Sequence, residues 1–237
     1  MRAAYERLTS ILSDPDECGM SALDCIYEIM ENEVQRRDSN ALARRLKEAK
    51  ICLPNARPDT IDFSIERGLD KNKIDALLTM RWMEEHQNNI ITGAAGCGKT
   101  FLACALVNQA CIKGRTARVV RVPLLLNQMA ASHQIVETYF KKLKEMKTID
   151  LLVLDDWGIG QLDARSRQDL LEIINERYMY ASTIVTSVLP VNKWSEYIND
   201  TTYSDAILDR LVSVSHRVEL NGASVRQMKE YGAVLKE

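Results

Sequence analysis

Residues 89–100 read Asn-Ile-Ile-Thr-Gly-Ala-Ala-Gly-Cys-Gly-Lys-Thr, and this stretch decides the fold. Asn89–Thr92 is short and mostly β-branched, as a buried strand is. From Gly93 the chain spells a full G-x-x-x-x-G-K-T, and an apolar run to Lys113, stopped by Gly114, reads as a helix. A strand, a glycine-rich loop and a helix in that order give the motif its physical meaning. The loop backbone of Gly93, Ala94, Ala95, Gly96, Cys97 and Gly98 can wrap a phosphate with its N–H groups inward, and the helix start adds its positive dipole end. Lys99 is placed to reach the β- and γ-phosphates, and the Thr100 hydroxyl to ligate Mg²⁺, so ATP with Mg²⁺ is the expected cofactor. No G-x-G-x-x-G is present to support hydride transfer.

About fifty residues on, Leu151-Leu152-Val153-Leu154-Asp155-Asp156 supplies a second strand that ends in two carboxylates. Asp155 is expected to hold the hydration shell of Mg²⁺, and Asp156 to orient or deprotonate the attacking water. Further strands are expected at Ala117–Val122, Asp150–Leu154, Thr183–Ser187 and His216–Leu220. Helices fall between them at Leu124–Ser132, Ser166–Tyr178 and Ser204–Val212. Short, near-continuous apolar strands alternating with helices indicate a parallel sheet buried on both faces. The expected fold class is therefore α/β, a phosphate-loop NTPase core with a five-stranded parallel sheet.

The first fifty residues read differently. Ser21-x-x-Asp24 resembles a capping box, and Leu23, Ile26, Tyr27, Met30 and Val34 follow at helical spacing; a second helical stretch is expected at Ala41–Ala49. Pro54 and Pro58 then break helix. This suggests a small helical N-terminal domain over 1–58 and an ATPase domain over 59–237.

Overall charge is −2, from 31 Lys and Arg against 33 Asp and Glu, which excludes a protein that holds nucleic acid by bulk positive charge. With 46% apolar and 27% charged residues, the chain is not a disordered one either. No apolar run is long enough to span a bilayer and the N-terminus lacks a secretory pattern, so a cytoplasmic protein is expected. The near-neutral total conceals blocks. Residues 1–33 hold two basic residues against eight acids, a net −6, whereas residues 34–58 hold seven basic against two acidic, a net +5. Arg36, Arg37, Arg44, Arg45, Lys47 and Lys50 make up most of the second block, and Lys141, Lys142 and Lys144 form a smaller cluster. Both readings of such runs stay open: solvated helix faces, or a surface for DNA phosphates. The six cysteines include no C-x-x-C pair, which argues against a metal site and for free thiols in a reducing compartment.

The ordered set GAAGCGKTFLACAL, LLVLDDWG, IVTSVLPVNKW, DAILDRL and GASVR resembles the IstB-like ATPases, AAA+ proteins encoded beside the transposase of bacterial insertion sequences, in a clade shared with helicase loaders. The resemblance runs from the IDFSIERGLD stretch to Arg226. It implies that Arg210 is an arginine finger entering a neighbouring subunit's ATP site, although an Arg on a helix surface paired with Asp205 or Asp209 reads the same way. It implies that Arg226 senses the γ-phosphate, that Ile61–Leu69 packs near the adenine, and that Pro123–Lys147 is the clade's extra helical element. Two departures stand out: Val188 occupies the place of a polar sensor, leaving Thr186 or Ser187 to serve, and Asp156 stands where many such proteins have Glu. The implied function is an ATP-dependent oligomer, ring or filament, that binds duplex DNA and assists its transposase. The alternative is a helicase loader that holds a replicative helicase and single-stranded DNA.

Overall fold

Five stretches rich in Ile, Val and Leu pair into one sheet: β1 (Asn88–Gly93), β2 (Ala117–Arg121), β3 (Leu151–Trp157), β4 (Ser182–Ser187) and β5 (Ser215–Leu220). In the computed structural model, which describes residues 2–13, 21–222, 224 and 225, their order is β2-β3-β4-β1-β5 and every pairing is parallel. All five expected strands are present. Strand β1 sits between β4 and β5, so the loop that leaves it emerges at the C-terminal edge of the sheet, where the chain crosses over to β2. Open α/β sheets bind ligands at such switch points.

The helices cover both faces. Helix α5 (Lys99–Ile112) is apolar nearly all round, and Leu102 through Val107, Ala110 and Cys111 are at most 2% exposed, as a helix packed in a protein interior requires. Cys104 and Cys111 are fully buried, whereas Cys52 is exposed; its Sγ lies 3.6 Å from that of Cys104. The extra helical element is two helices, α6 (Val122–Ser132) and α7 (Val136–Thr148), inserted between β2 and β3. They pack on α8 (Ala164–Arg177). Beyond β4, α9 (Trp194–Ile198) and α10 (Thr201–Val212) lead into β5. Asp163 and Asp200 cap α8 and α10 by accepting the Ser166 and Tyr203 N–H groups at 2.7 and 3.1 Å.

Strand β3 runs three residues past its expected end at Leu154. The ladder pairs Leu154 with Val185 and then Trp157 with Ser187, so Asp155 and Asp156 together oppose Thr186 alone. This is a β-bulge, and Asp156 takes its positive φ of 62° there. Pairing resumes because Trp157 is apolar and fully buried, with its ring 5.1 Å from Trp194 and 5.8 Å from Tyr197. Replacing Trp157 by alanine removes this anchor beside the two acids. A loss of about 3–5 kcal/mol is expected in urea unfolding, as for other buried Trp truncations; a change below about 1 kcal/mol would contradict the anchor role.

The chain divides into two compact units, Met1–Lys47 and Glu48–Glu237. The division falls before the expected 58/59 boundary. Residues after Lys47 are packed with the sheet: Ala49 and Ala56 are fully buried, and the Ala49 carbonyl accepts the Val119 N–H at 2.9 Å. In the first unit, α1 (Arg2–Ser13) precedes α2 (Ala22–Glu48), and Arg7 is paired with Glu28. Ser21 caps α2 as expected, its Oγ accepting the Asp24 N–H at 3.2 Å. The two expected helical stretches at 23–34 and 41–49 are one continuous helix, because residues 35–40 contain no Gly or Pro and Glu33 pairs with Arg37 one turn on. The apolar row Leu23, Ile26, Tyr27, Met30 and Val34 is exposed, at 55–67%.

Candidate functional site

Backbone conformation builds the loop between β1 and α5. Gly96 (φ +81°) and Gly98 (φ +102°) take left-handed geometry, and a Cβ at either would collide with Ser224 Oγ at 2.2 Å or an Arg67 terminal nitrogen at 2.5 Å. Gly98 is also the N-cap of α5 and offers no side chain to the first turn, so the N–H groups there stay available to an anion. Lys99 is 9% exposed, and its Nζ donates to the Gly93 and Ala94 carbonyls at 2.8 and 2.7 Å. These carbonyls are acceptors that a phosphate oxygen can replace. Ala94 and Ala95 form the exposed tip, while Cys97 is buried beneath it.

Across 55 residues of sequence, the bulge of β3 meets this loop. Asp155 is 5% exposed and accepts the Thr100 hydroxyl at 2.9 Å and the Thr186 hydroxyl through a short hydrogen bond. Thr186 Oγ1 in turn accepts the Asp156 N–H at 3.3 Å. One threonine thus holds both acids. Ser187 is committed elsewhere: its Oγ donates to the Trp157 carbonyl at 2.7 Å and accepts the Leu189 N–H at 3.0 Å. Asp156 lies in an ion pair, with Arg121 Nε donating to its Oδ2 at 2.6 Å, and this hydrogen bond and charge hold the Arg121 pKa above its usual range.

A cavity of about 280 Å³ opens beside the loop, with Thr60, Ile65 and Arg67 on one side and Lys99, Thr100 and Phe101 on the other. Three residues of the Ile61–Leu69 stretch, Asp62, Ile65 and Arg67, therefore stand in its wall. The arrangement fits a nucleotide. The loop has backbone approaches that a Cβ would fill, a lysine and a hydroxyl face the same space, and Arg67 Nε is buried without a hydrogen-bond partner. Thr100 and Asp155 together are the kind of sparse oxygen set that Mg²⁺ accepts when phosphates supply other ligands. No cluster of three or more His, Cys, Asp or Glu exists among the described residues, so the chain forms no metal cage of its own there.

Other expected residues lie apart from this cavity. Arg210 on α10 does not line it; the guanidinium donates to the Ala206 carbonyl at 2.7 Å and stacks over Tyr178 at 5.7 Å. Among the described residues, no ion pair joins Arg210 to Asp205 or Asp209. Arg226 lies outside the described residues, but its neighbour Val225 donates its N–H to the Gly96 carbonyl at 3.0 Å. Arg36, Arg37, Arg44, Arg45 and Lys47 are on α2 in the first unit, with Arg36 and Arg37 in ion pairs to Glu6 and Glu33. Lys50, Lys141, Lys142 and Lys144 belong to the second unit. Lys50 and Lys142 share a separate cavity of about 640 Å³ with Arg118 and Arg121 from β2, which the sequence reading did not single out. The two arginines lie three residues apart on the edge strand β2, so strand alternation does not mark them as a pair. Arg67 was not singled out either; it lies within Ile61–Leu69, which the resemblance alone set near the adenine.

No helix among the described residues is long and apolar enough to cross a membrane. Known proteins of the same fold include the DnaC helicase loader, at 21% identity and a TM-score of 0.57 over 71% of this chain and 98% of that one. AMPPCP-bound DnaA from Aquifex aeolicus is similar at 21% identity and a TM-score of 0.59, over 78% of this chain and 56% of that one. These likenesses show a shared fold. In sequence, a Sinorhizobium fredii protein named as an insertion sequence ATP-binding protein is 39% identical over 219 residues, 92% of this chain and 89% of its own. Residues 1–233 match the family described as IstB-like ATP binding protein, and with its phosphate loop, bulged acid pair and strand order this chain belongs to that family.

Proposed function

We propose that this protein is an ATPase that assembles on duplex DNA and assists the transposase of its insertion sequence. Family membership over nearly the whole chain, N-terminal helices included, carries that reading. Bound ATP with Mg²⁺ supplies the phosphoanhydride and its electrophilic γ-phosphorus. The chain's own residues do the rest. Lys99 and the loop amides bind the phosphates, Thr100 and Asp155 hold the metal, and Thr186 fixes the two acids relative to each other. Asp156 accepts the proton of the attacking water once it is freed from Arg121. Arg210 stands away from its own subunit's cavity, as a finger reaching a neighbour must. An always-charged, forked guanidinium suits that task. Assembly then multiplies the basic α2 segment along one duplex, so a chain of charge −2 gains backbone affinity that one copy lacks.

The decisive experiment measures binding to duplex and single-stranded DNA with ATP, with ADP and in the Lys99→Ala variant, followed by capture of transposase. Duplex binding that needs both ATP and Lys99 is the expected result; binding to single strands alone, with no transposase capture, would sink the proposal. Neutralising Arg44, Arg45 and Lys47 together should weaken duplex binding and lower its salt slope by about 3, roughly one per lost phosphate contact, with ATP affinity unchanged. An unaltered slope makes that part of α2 an ordinary solvated face.

A further inference from the structure

Arg67 is a charged side chain in an unusual place. It is 5% exposed, and among the described residues its guanidinium donates to two neutral carbonyls, Asp62 O at 3.0 Å and Cys97 O at 3.4 Å, while its Nε has no partner. Its backbone is fixed from another side, because the Arg67 carbonyl accepts the Asn221 N–H at 2.8 Å just past β5. Burial lowers its pKa, while the nearby Asp62 and Cys97 act in the opposite sense. A buried guanidinium with so few acceptors is destabilising unless an anion completes its shell. Arg67 lines the same cavity as Lys99 and Thr100.

The two cations bond different carbonyls of the loop, with Cys97 between them: its Sγ is 3.9 Å from Lys99 Nζ and its carbonyl accepts from Arg67. Lys99 Nζ lies at Gly93 and Ala94, the end associated with the β- and γ-phosphates. Arg67 lies at the Cys97 carbonyl and beside Gly98, where α5 begins and the loop amides that cradle the α- and β-phosphates end. A Cβ on Gly98 would stand 2.5 Å from that guanidinium. We propose that Arg67 is a nucleotide-binding residue supplied in cis, whose guanidinium takes a non-bridging oxygen of the α-phosphate. This rests on the reading of the cavity as the ATP site.

The test is equilibrium binding of ATP, ADP and the two diastereomers of ATPαS to wild-type protein and to Arg67→Met and Arg67→Lys, with the melting temperature of each. Losing one charge-assisted hydrogen bond should weaken ATP and ADP by the same factor, about 10–100-fold, in Arg67→Met, with a smaller loss in Arg67→Lys. In wild type, one ATPαS diastereomer should bind more weakly than ATP, and in Arg67→Met that gap should close. Loss confined to ATP would assign Arg67 to the γ-phosphate and overturn the proposal. So would a gap that persists in Arg67→Met, or a lowered melting temperature with nucleotide affinity intact. Failure of wild-type protein to bind any nucleotide would instead overturn the ATP-site reading itself.

Discussion

In protein assembled on DNA, Arg210→Ala is expected to lower ATP turnover by about 10³-fold, the scale on which a finger guanidinium acts on phosphoryl transfer. ATP affinity of the isolated subunit should not change, because Arg210 lies outside the cavity that Lys99 and Thr100 line. The variant leaves the fold little affected, since the side chain makes one hydrogen bond along its own helix and one ring contact with Tyr178. Mixing separates a role in trans from a role in cis. An Arg210→Ala subunit keeps an intact phosphate loop and acid pair, and an Asp156→Asn subunit keeps its finger and its ATP affinity. A mixed assembly should therefore regain turnover that neither variant has alone. If mixing restores nothing while both variants still assemble, Arg210 does not act across the subunit boundary.

Asp156→Asn should reduce turnover by about 10²–10⁴-fold and leave ATP affinity within about twofold, because it removes a proton acceptor and preserves shape. The bulge sharpens this expectation. Asp155 is buried and bonded to Thr100 and Thr186, so the equivalent change there should weaken Mg²⁺-dependent nucleotide binding as well. Asp156 instead contacts Arg121 and shares only its backbone N–H with Thr186. Equal losses of binding from Asp155→Asn and Asp156→Asn would refute that division of labour. Single-turnover kinetics and direct nucleotide binding distinguish the outcomes.

Much of the fold was legible in the sequence. A parallel sheet buries both faces, so its strands read as short apolar runs, and helix stops such as Gly114 lie between them. The glycines of the loop were equally legible, because backbone geometry leaves few alternatives at Gly96 and Gly98. The two helical stretches expected on either side of 35–40 were harder to join. Local spacing marks an apolar face, but only the absence of Gly and Pro carries the helix through it. That apolar row also shows where periodicity stops informing: Leu23, Tyr27 and Met30 have core-like spacing and are exposed.

By itself, the sequence determined the strand–loop–helix context, the pairing of Lys99 and Thr100 with Asp155 and Asp156, and the class of ligand they suit. Those features depend on local backbone propensities and on two short motifs, each legible within a few positions although they lie 55 residues apart. Tertiary structure decided which groups meet. The bulge opposite Thr186 points Asp155 toward Thr100 and leaves Asp156 with Arg121, and Thr186 rather than Ser187 joins the acids. It also brought Arg67 to the phosphate loop, 30 residues ahead in sequence at Cys97. Each of these depends on register between strands or on packing of distant segments, and neither is encoded in the spacing of residues along one element.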